Sequence, residues 1–210
     1  MRVVFALGAF LLVIGCGGSS APNGGSSDPN QPVDPLPPIQ TEPADMRRAM
    51  DDVIDAFSNP VIYTEIHAIP TAGSAVYEGY LSAELSNQTD SFPDELVANM
   101  KITVRFDANG VSATGRATNF YDENNNALSG SLVLSAGQLD RTGNPNNDAT
   151  FTAALDGELE AQSGQIRSIE TRLEGDFLGA QQNALGGALF GRALKGGIVQ
   201  DIDGSFVAAR

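Results

Sequence analysis

Apolar and polar residues alternate with a period of two along most of residues 74–209. The clearest stretch places the apolar residues Ile102, Val104 and Phe106 between the polar residues Lys101, Thr103 and Arg105. Because successive side chains of a β-strand point to opposite faces, this alternation predicts strands with one apolar and one polar face. Polar turns divide the pattern into eight strands, which we expect to pair antiparallel in chain order.

Residues 45–58 have a helical pattern instead. The apolar residues that recur at helical spacing are Met46, Met50, Val53, Ile54 and Phe57. Asp45 is a candidate N-cap, and Asn59-Pro60 is expected to end the helix. An exposed apolar stripe favours aggregation, so we expect the helix to cover its own domain rather than to bind a partner. Residues 61–69 are either a ninth strand or a lead-in to the first.

Eight antiparallel strands with one apolar face can close into a barrel, which leaves no exposed sheet edge. A transmembrane barrel has a similar alternation, but here charged residues interrupt the strands and no aromatic girdles are present. The sequence therefore predicts an all-β fold, an eight-stranded antiparallel soluble barrel with one short N-terminal helix. We divide the chain into residues 1–15 (signal), 16–44 (tether), 45–60 (helix) and 61–210 (barrel).

The N-terminus has the pattern of a targeting segment. An apolar run of about a dozen residues follows Met1-Arg2, which is too short for a membrane span of roughly 20 residues. It ends in Val13-Ile14-Gly15-Cys16, which resembles the bacterial lipoprotein signal. That resemblance implies cleavage before Cys16, acylation of Cys16 by palmitate and other chains, and, because Gly17 follows, the outer membrane of a Gram-negative bacterium. An ordinary secretory signal is the alternative.

Residues 17–44 contain seven of the eleven prolines and neither Lys nor Arg. Such a segment buries too little apolar area to offset its ordering entropy, which predicts a disordered tether. The whole chain carries a formal net charge of −14, which disfavours nucleic acid and anionic membrane surfaces as partners. Cys16 is the only cysteine, so no intrachain disulfide can form.

Glycines organise residues 174–194. Gly175, Phe177 and Gly179 are expected on one face of an extended segment, and Gly186-Gly187 opens the next one. Glycine permits close approach of backbones at the bends of a closed sheet. We therefore predict a hairpin in which Phe177, together with Leu189 or Phe190, fills the space beside the glycines.

This stretch resembles the barrel domain of the transferrin-binding protein B family of surface lipoproteins, including its solute-binding-protein-like members. The family pattern is close to G-x-F-x-G, six residues, then G-G, and all five positions match here. Residues 73–79 look like the family's first barrel strand. The resemblance implies a barrel that binds a host protein, an iron carrier such as haem, or another solute at the cell surface. This chain has one barrel and no handle domain, so transferrin binding itself is not implied.

Candidate catalytic and metal-binding residues are few. His67 is the only histidine and has no partner in a triad or zinc motif. Residues 122–126 and 201–204 lack the full ligand series of a calcium loop, and turn chemistry explains them equally well. The carboxylate pairs Glu78/Glu84 and Glu170/Glu174 fall on the polar face of the strands. We predict that the protein is not an enzyme and has no cofactor or metal site.

Two alternatives to a surface binder stay open: a structural or adhesive envelope protein, and a lipocalin-like carrier. The small residues Ala113, Gly115 and Ala117 favour a hollow barrel. Other inward positions favour a filled one: Leu132, Leu134, Phe151, Phe177 and Phe206.

Loops on a rigid scaffold commonly carry recognition. In chain-order pairing, the loops at residues 86–99, 121–127 and 160–165 share one mouth, and those at 107–110 and 143–148 share the other. We predict that the first mouth faces a partner, an unidentified protein or small solute, through Phe92, Phe120 and Tyr121, with Pro93 beside them. Acidic residues around it favour a basic partner.

Overall fold

The structure, a computed structural model, describes residues 39–58, 63–87, 94–140, 149–179 and 181–210. It confirms the all-β class and the eight antiparallel strands, which form a closed barrel in chain order. The elements are helix α1 (Pro43–Ser58), a 3-10 turn (Ile66–Ala68), β1 (Gly73–Ser86), β2 (Asp94–Phe106), β3 (Gly110–Asp122), β4 (Ala127–Asp140), β5 (Thr150–Glu160), β6 (Ile166–Leu178), β7 (Ala184–Lys195) and β8 (Ile198–Ala209).

The barrel closes where the last strand pairs with the first. Antiparallel pairing of β1 with β8 extends from Glu78 opposite Ala209 to Ser86 opposite Asp201. Every strand therefore has two hydrogen-bonded neighbours, which removes the unpaired edges that invite aggregation. In the described part of the chain, no helix combines the length and apolar character that crossing a membrane requires.

The interior of the barrel is filled by side chains. Phe177 is fully buried, and its ring centroid lies 6.3 Å from that of Tyr77 and 6.0 Å from those of Phe106 and Phe151. Phe206 extends the group, 6.2 Å from Phe151. Such tilted and edge-on contacts are favourable arrangements for aromatic rings. The prediction that Phe177 fills the barrel beside the glycines is confirmed, and of the hollow and filled alternatives the described interior has the filled one.

Two inward glycines permit close packing at this point, one against the rings and one against the neighbouring backbone. Gly175 on β6 and Gly187 on β7 are direct partners. A Cβ on Gly175 would lie 2.5 Å from Cζ of Phe206, and one on Gly187 would overlap the carbonyl oxygen of Glu174. Only glycine therefore permits this approach of strand and ring. Gly179, expected on the same face, instead lies in the turn after β6 with φ of +80°.

The structure shows which of Leu189 and Phe190 fills the space beside the glycines. Leu189 is 1% exposed and faces the interior, whereas Phe190 is 39% exposed on the outer wall. Adjacent strand residues point to opposite faces, so only one of the two can fill the core.

Helix α1 lies against the outer wall of the barrel. Met46, Met50, Val53 and Phe57 are buried there against an apolar patch of outward residues. That patch comprises Tyr80, Val97, Ala184, Val207 and Ala209. The expectation that the helix covers its own domain is confirmed, although it covers a wall and not one end.

The helix begins at Pro43, two residues before the predicted start. Proline suits the first helical position because its missing N–H would have no partner there and its φ is already helical. The carbonyl oxygen of Glu42 accepts hydrogen bonds from the N–H groups of Asp45 and Met46. Asp45 therefore lies inside the first turn and does not cap it, while the predicted stop at Asn59-Pro60 lies outside the described residues.

The segment before β1 is a lead-in and not a ninth strand. Tyr63 forms a single isolated bridge with Leu178, and the N–H of Thr64 donates to the carbonyl of Phe177 at 2.8 Å. Ile66 and Ile69 then join the core cluster of the barrel. The lead-in thus closes the barrel end at which β6 finishes.

The hydroxyl of Tyr77 lies beneath this lead-in. It donates to the carbonyl of Gln182 at 3.0 Å, and Gln182 in turn donates to the carbonyl of Ala68 at 3.1 Å. Burial raises the pKa of Tyr77 to about 12, although the charge of Arg210 acts to lower it. Tyr77 therefore stays neutral at physiological pH and ties the lead-in to the core.

Replacing Phe177 with Ala is expected to destabilise the protein by ~3–5 kcal/mol, since it removes the ring at the centre of the aromatic group. The matched control is Phe190→Ala on the outer wall, which should cost less than ~1 kcal/mol. Denaturant unfolding of both variants measures the difference. A small effect at Phe177 and a large one at Phe190 would reverse the assigned faces of β6 and β7.

Candidate binding surface at the first mouth

The two ends of the barrel have different loops. We call the end that carries the β1–β2, β3–β4, β5–β6 and β7–β8 connections the first mouth, and the opposite end the second mouth. This is the distribution predicted from chain-order pairing, and it is confirmed. The lead-in segment closes the second mouth, so the first mouth is the end that can present a site.

Four polar side chains fill the interior of the first mouth. We call Asp94, Arg167, Lys195 and Gln200 the mouth cluster; they occupy inward positions of β2, β6, β7 and β8. One carboxylate oxygen of Asp94 accepts from Arg167 at 2.7 Å, from Lys195 at 3.1 Å and from Gln200 at 3.3 Å. These interactions join four strands above the apolar core.

The cluster is polar but mostly shielded from water. The side chain of Arg167 is 11% exposed, and Gln200 is 4% exposed. Burial alone would raise the pKa of Asp94, but hydrogen bonds from Gln200 and Lys195 and the charges of Lys195 and Arg167 outweigh it and lower the pKa. Asp94 is thus a carboxylate at neutral pH and holds the two cations inside the mouth.

Beside this cluster, the edge of the barrel that is formed by β6, β7 and β8 is apolar. Ile166, Leu194, Ile198 and Val199 are between 48% and 57% exposed, and we call them the apolar rim. Leu194 and Val199 are direct partners across the β7–β8 hairpin. The rim accounts for four of the nine large apolar residues exposed in the described part of the chain. Such clustering of exposed apolar residues is typical of interaction sites.

The predicted site residues are not brought together in this way. Phe120 is fully buried in the core, so its assignment to a binding site was wrong. Asn119 has φ of +55° and the β3–β4 register shifts between Ala117 and Phe120. This bulge reverses the alternation, so Phe120 turns inward in place of Asn119.

Tyr121, the next predicted site residue, is half-buried and packs against the apolar patch beneath helix α1. It lies near the first mouth but supports the helix. Phe92 and Pro93 lie outside the described residues. The predicted loop at residues 86–99 is also shorter than expected, because β2 begins at Asp94 and residues 96–98 are fully buried.

The sequence contains a signal for the rim that the alternation analysis missed. Alternation along β8 predicts that Ile198 points inward with Ile202, but Ile198 is 57% exposed because it lies beside the Gly196-Gly197 turn, beyond the core. Ile198 and Val199 are consecutive apolar residues, so one of them must point outward. Pairing across the turn then places Leu194 beside Val199.

The other candidate residues have ordinary surface roles. His67 is exposed and lies 3.1 Å from a carboxylate oxygen of Glu65. Three of the four considered carboxylates form ion pairs on the outer wall: Glu78 with Lys101, Glu170 with Arg192, and Glu174 with Arg172. Among the described residues, no group of three or more His, Cys, Asp or Glu could hold a metal ion.

Two depressions lie on the outer wall. One lies along β5–β8 between Asp156 and Asp201, and the other beside Asn99 and Lys101. Both are open and shallow, unlike the concave pockets that enclose small ligands. The first mouth is therefore the surface with the stronger case for recognition.

Comparisons of the chain with family models, with curated proteins and with solved structures find no match. The class of protein that the coordinates define is a small, filled, closed antiparallel barrel with a helix on its wall. The resemblance of the glycine pattern to the transferrin-binding protein B family stays a prediction.

Replacing Asp94 with Asn is expected to lower stability at pH 7, because Arg167 and Lys195 lose their shared carboxylate. The contribution of Asp94 is present above its ordinary pKa and is lost as the pH falls through its lowered pKa. The difference from wild type should therefore shrink as the medium is acidified below the ordinary carboxyl pKa of 3.8. Urea unfolding at neutral and at acidic pH measures this, with Glu78→Gln as the control for an exposed ion pair. An undiminished difference in acid would contradict the assignment.

Proposed function

We propose that this protein is a lipid-anchored envelope lipoprotein whose barrel binds a protein partner through the first mouth. Cys16 supplies the anchor, and the outer membrane of a Gram-negative bacterium is its site. The barrel acts as a rigid scaffold that presents a surface. It performs no chemistry in this proposal and holds no cofactor.

The observation that carries the proposal is the contrast between interior and rim. The described interior is filled by buried side chains, with packed aromatic rings around Phe177. The apolar rim is exposed at the open end. A macromolecular partner bound at the surface fits this arrangement better than a lipocalin-like carrier does.

The outer wall supports a barrel that faces water. Ion pairs such as Glu78 with Lys101 and Glu170 with Arg192 lie midway along the outward faces of the strands. A transmembrane barrel would place an apolar band there. A separate lipid anchor at Cys16 is therefore consistent with this wall.

The resemblance to surface lipoproteins adds support of a limited kind. The matching glycines Gly175 and Gly187 have a packing role, so the shared pattern speaks for a shared barrel and not for a shared ligand. Of the ligands that the resemblance suggests, a host protein suits an exposed rim best. A structural or adhesive role is the second candidate, because a filled barrel also serves as a rigid spacer.

Incorporation of a photoreactive amino acid at Val199 tests the proposal in cells, with the same substitution at Val76 as control. Val76 is also exposed, at 45%, but lies on β1 away from the first mouth. We expect a covalent protein adduct from position 199 only. Wild-type protein should incorporate labelled palmitate and remain with the membrane fraction, and Cys16→Ala should do neither.

Equal adducts at positions 199 and 76, or none at either, would contradict partner binding at the first mouth. Palmitate label that persists in Cys16→Ala would contradict the anchor. The two results are independent, so each half of the proposal can fail alone.

A further inference from the structure

We propose that the partner of the first mouth is a protein segment in which apolar side chains alternate with Lys or Arg. This inference rests on the proposed function, because it specifies the chemistry of the partner at the same surface. It is argued from the rim, from its border of carboxylates and from the cations that the mouth cluster holds inside.

The outward part of the rim is a continuous strip across three strands. Leu194 and Val199 are cross-strand partners on β7 and β8, and Ser168 of β6 pairs with Leu194 on the other side. Ile166 lies two residues along β6 from Ser168, on the same face. With neighbouring strands ~4.8 Å apart, the strip is about 10 Å wide. That width suits a few apolar side chains of one extended or helical segment.

Carboxylates lie along the β5 side of this strip and beyond its end on β8. Glu160 is the direct partner of Ile166, and Glu158 is the partner of Ser168, whose hydroxyl it accepts at 3.2 Å. Asp201 follows Val199 by two residues and faces the same way. Within the described part of the chain, Glu158, Glu160 and Asp201 form no ion pair. Each can therefore accept a cation from a partner.

The nearby cations do not neutralise this border. Arg192 is the outward cation nearest to it among the described residues and the cross-strand partner of Asp201, but its Nε and Nη2 donate to Glu170, at 3.0 and 2.7 Å. Arg167 and Lys195 are close in sequence to the rim, but both point inward to Asp94. The rim thus presents an apolar centre with an acidic edge.

The possible partners of the rim can be compared by how well their apolar and charged groups match its apolar centre and acidic edge. A segment with apolar and basic residues would bury the strip and pair the three carboxylates. A second copy of this chain would bring the same acidic edge, so like charges would face each other across a two-fold interface. An anionic membrane surface would be repelled in the same way. The basic, apolar segment is the occupant that satisfies both parts of the surface.

The test uses the full chain and a synthetic seven-residue peptide in which Lys alternates with Leu. Two comparison peptides replace Leu by Ser or Lys by Glu. Fluorescence anisotropy at low salt should show binding of the Lys/Leu peptide alone. We expect affinity to fall at least tenfold in Leu194→Ser/Val199→Ser and also in Glu158→Gln/Glu160→Gln/Asp201→Asn, but to be unchanged in Val76→Ser.

The charge variant keeps the test decisive if the apolar variant fails to fold, because its three side chains are exposed. It should also lose most of the salt dependence seen with wild type. Equal affinity in the charge variant, or equal binding of the Glu/Leu peptide, would overturn the inference. So would stronger binding of the rim to phosphatidylcholine vesicles than to the peptide. The crosslinking experiment at Val199 separates this inference from the proposed function. If the peptide test fails but a protein adduct forms at Val199 in cells, the proposed function stands and only the chemistry of the partner is wrong. If no adduct forms at Val199, the proposed function is wrong, irrespective of the peptide results.

Discussion

The structure depends on the close approach of β6 and β7 at Gly175 and Gly187. A barrel of eight strands is only just wide enough for side chains to fill it. Without a Cβ, Gly187 lies directly against the backbone of Glu174 and Gly175, and Gly175 leaves room for the rings of Phe206 and Phe151. The described interior is then filled by side chains, which favours the outer surface as the place for recognition.

Several parts of the described surface already have contacts. Helix α1 covers the wall formed by β1, β2 and β8, and the lead-in segment closes the second mouth. The mouth cluster fills the interior of the first mouth and ties four strands together around Asp94. The apolar rim remains exposed beside these polar groups. A surface that is apolar at its centre and acidic at its edge follows from this arrangement.

The regular parts of the fold could be predicted from the alternation of residues, because burial on one face of a strand leaves a period of two in the sequence. The helix was equally readable from the spacing of Met46, Met50 and Phe57. The prediction failed where one residue changes the alternation, as at Asn119, where a bulge turns Phe120 into the core. It also failed at strand ends such as Ile198. Whether the end of a strand still lies within the core depends on where the neighbouring strands end, and this depends on their pairing. The residues of the candidate site lie at these ends, which explains why the barrel was predicted and the rim was not.

The most direct test of this account compares Gly187→Ala with Gly186→Ala. Both glycines lie on β7, and neither has a left-handed φ, so the loss of backbone freedom is similar. A methyl group at Gly187 would overlap the backbone of Glu174, whereas at Gly186 the nearest atom is the flexible Cδ1 of Leu178 at 3.1 Å. Overpacking predicts that Gly187→Ala lowers the free energy of unfolding by ~1–3 kcal/mol or more, and Gly186→Ala by less than ~1 kcal/mol. Equal effects of the two substitutions on denaturant unfolding would contradict the claim that this contact lets the barrel fill.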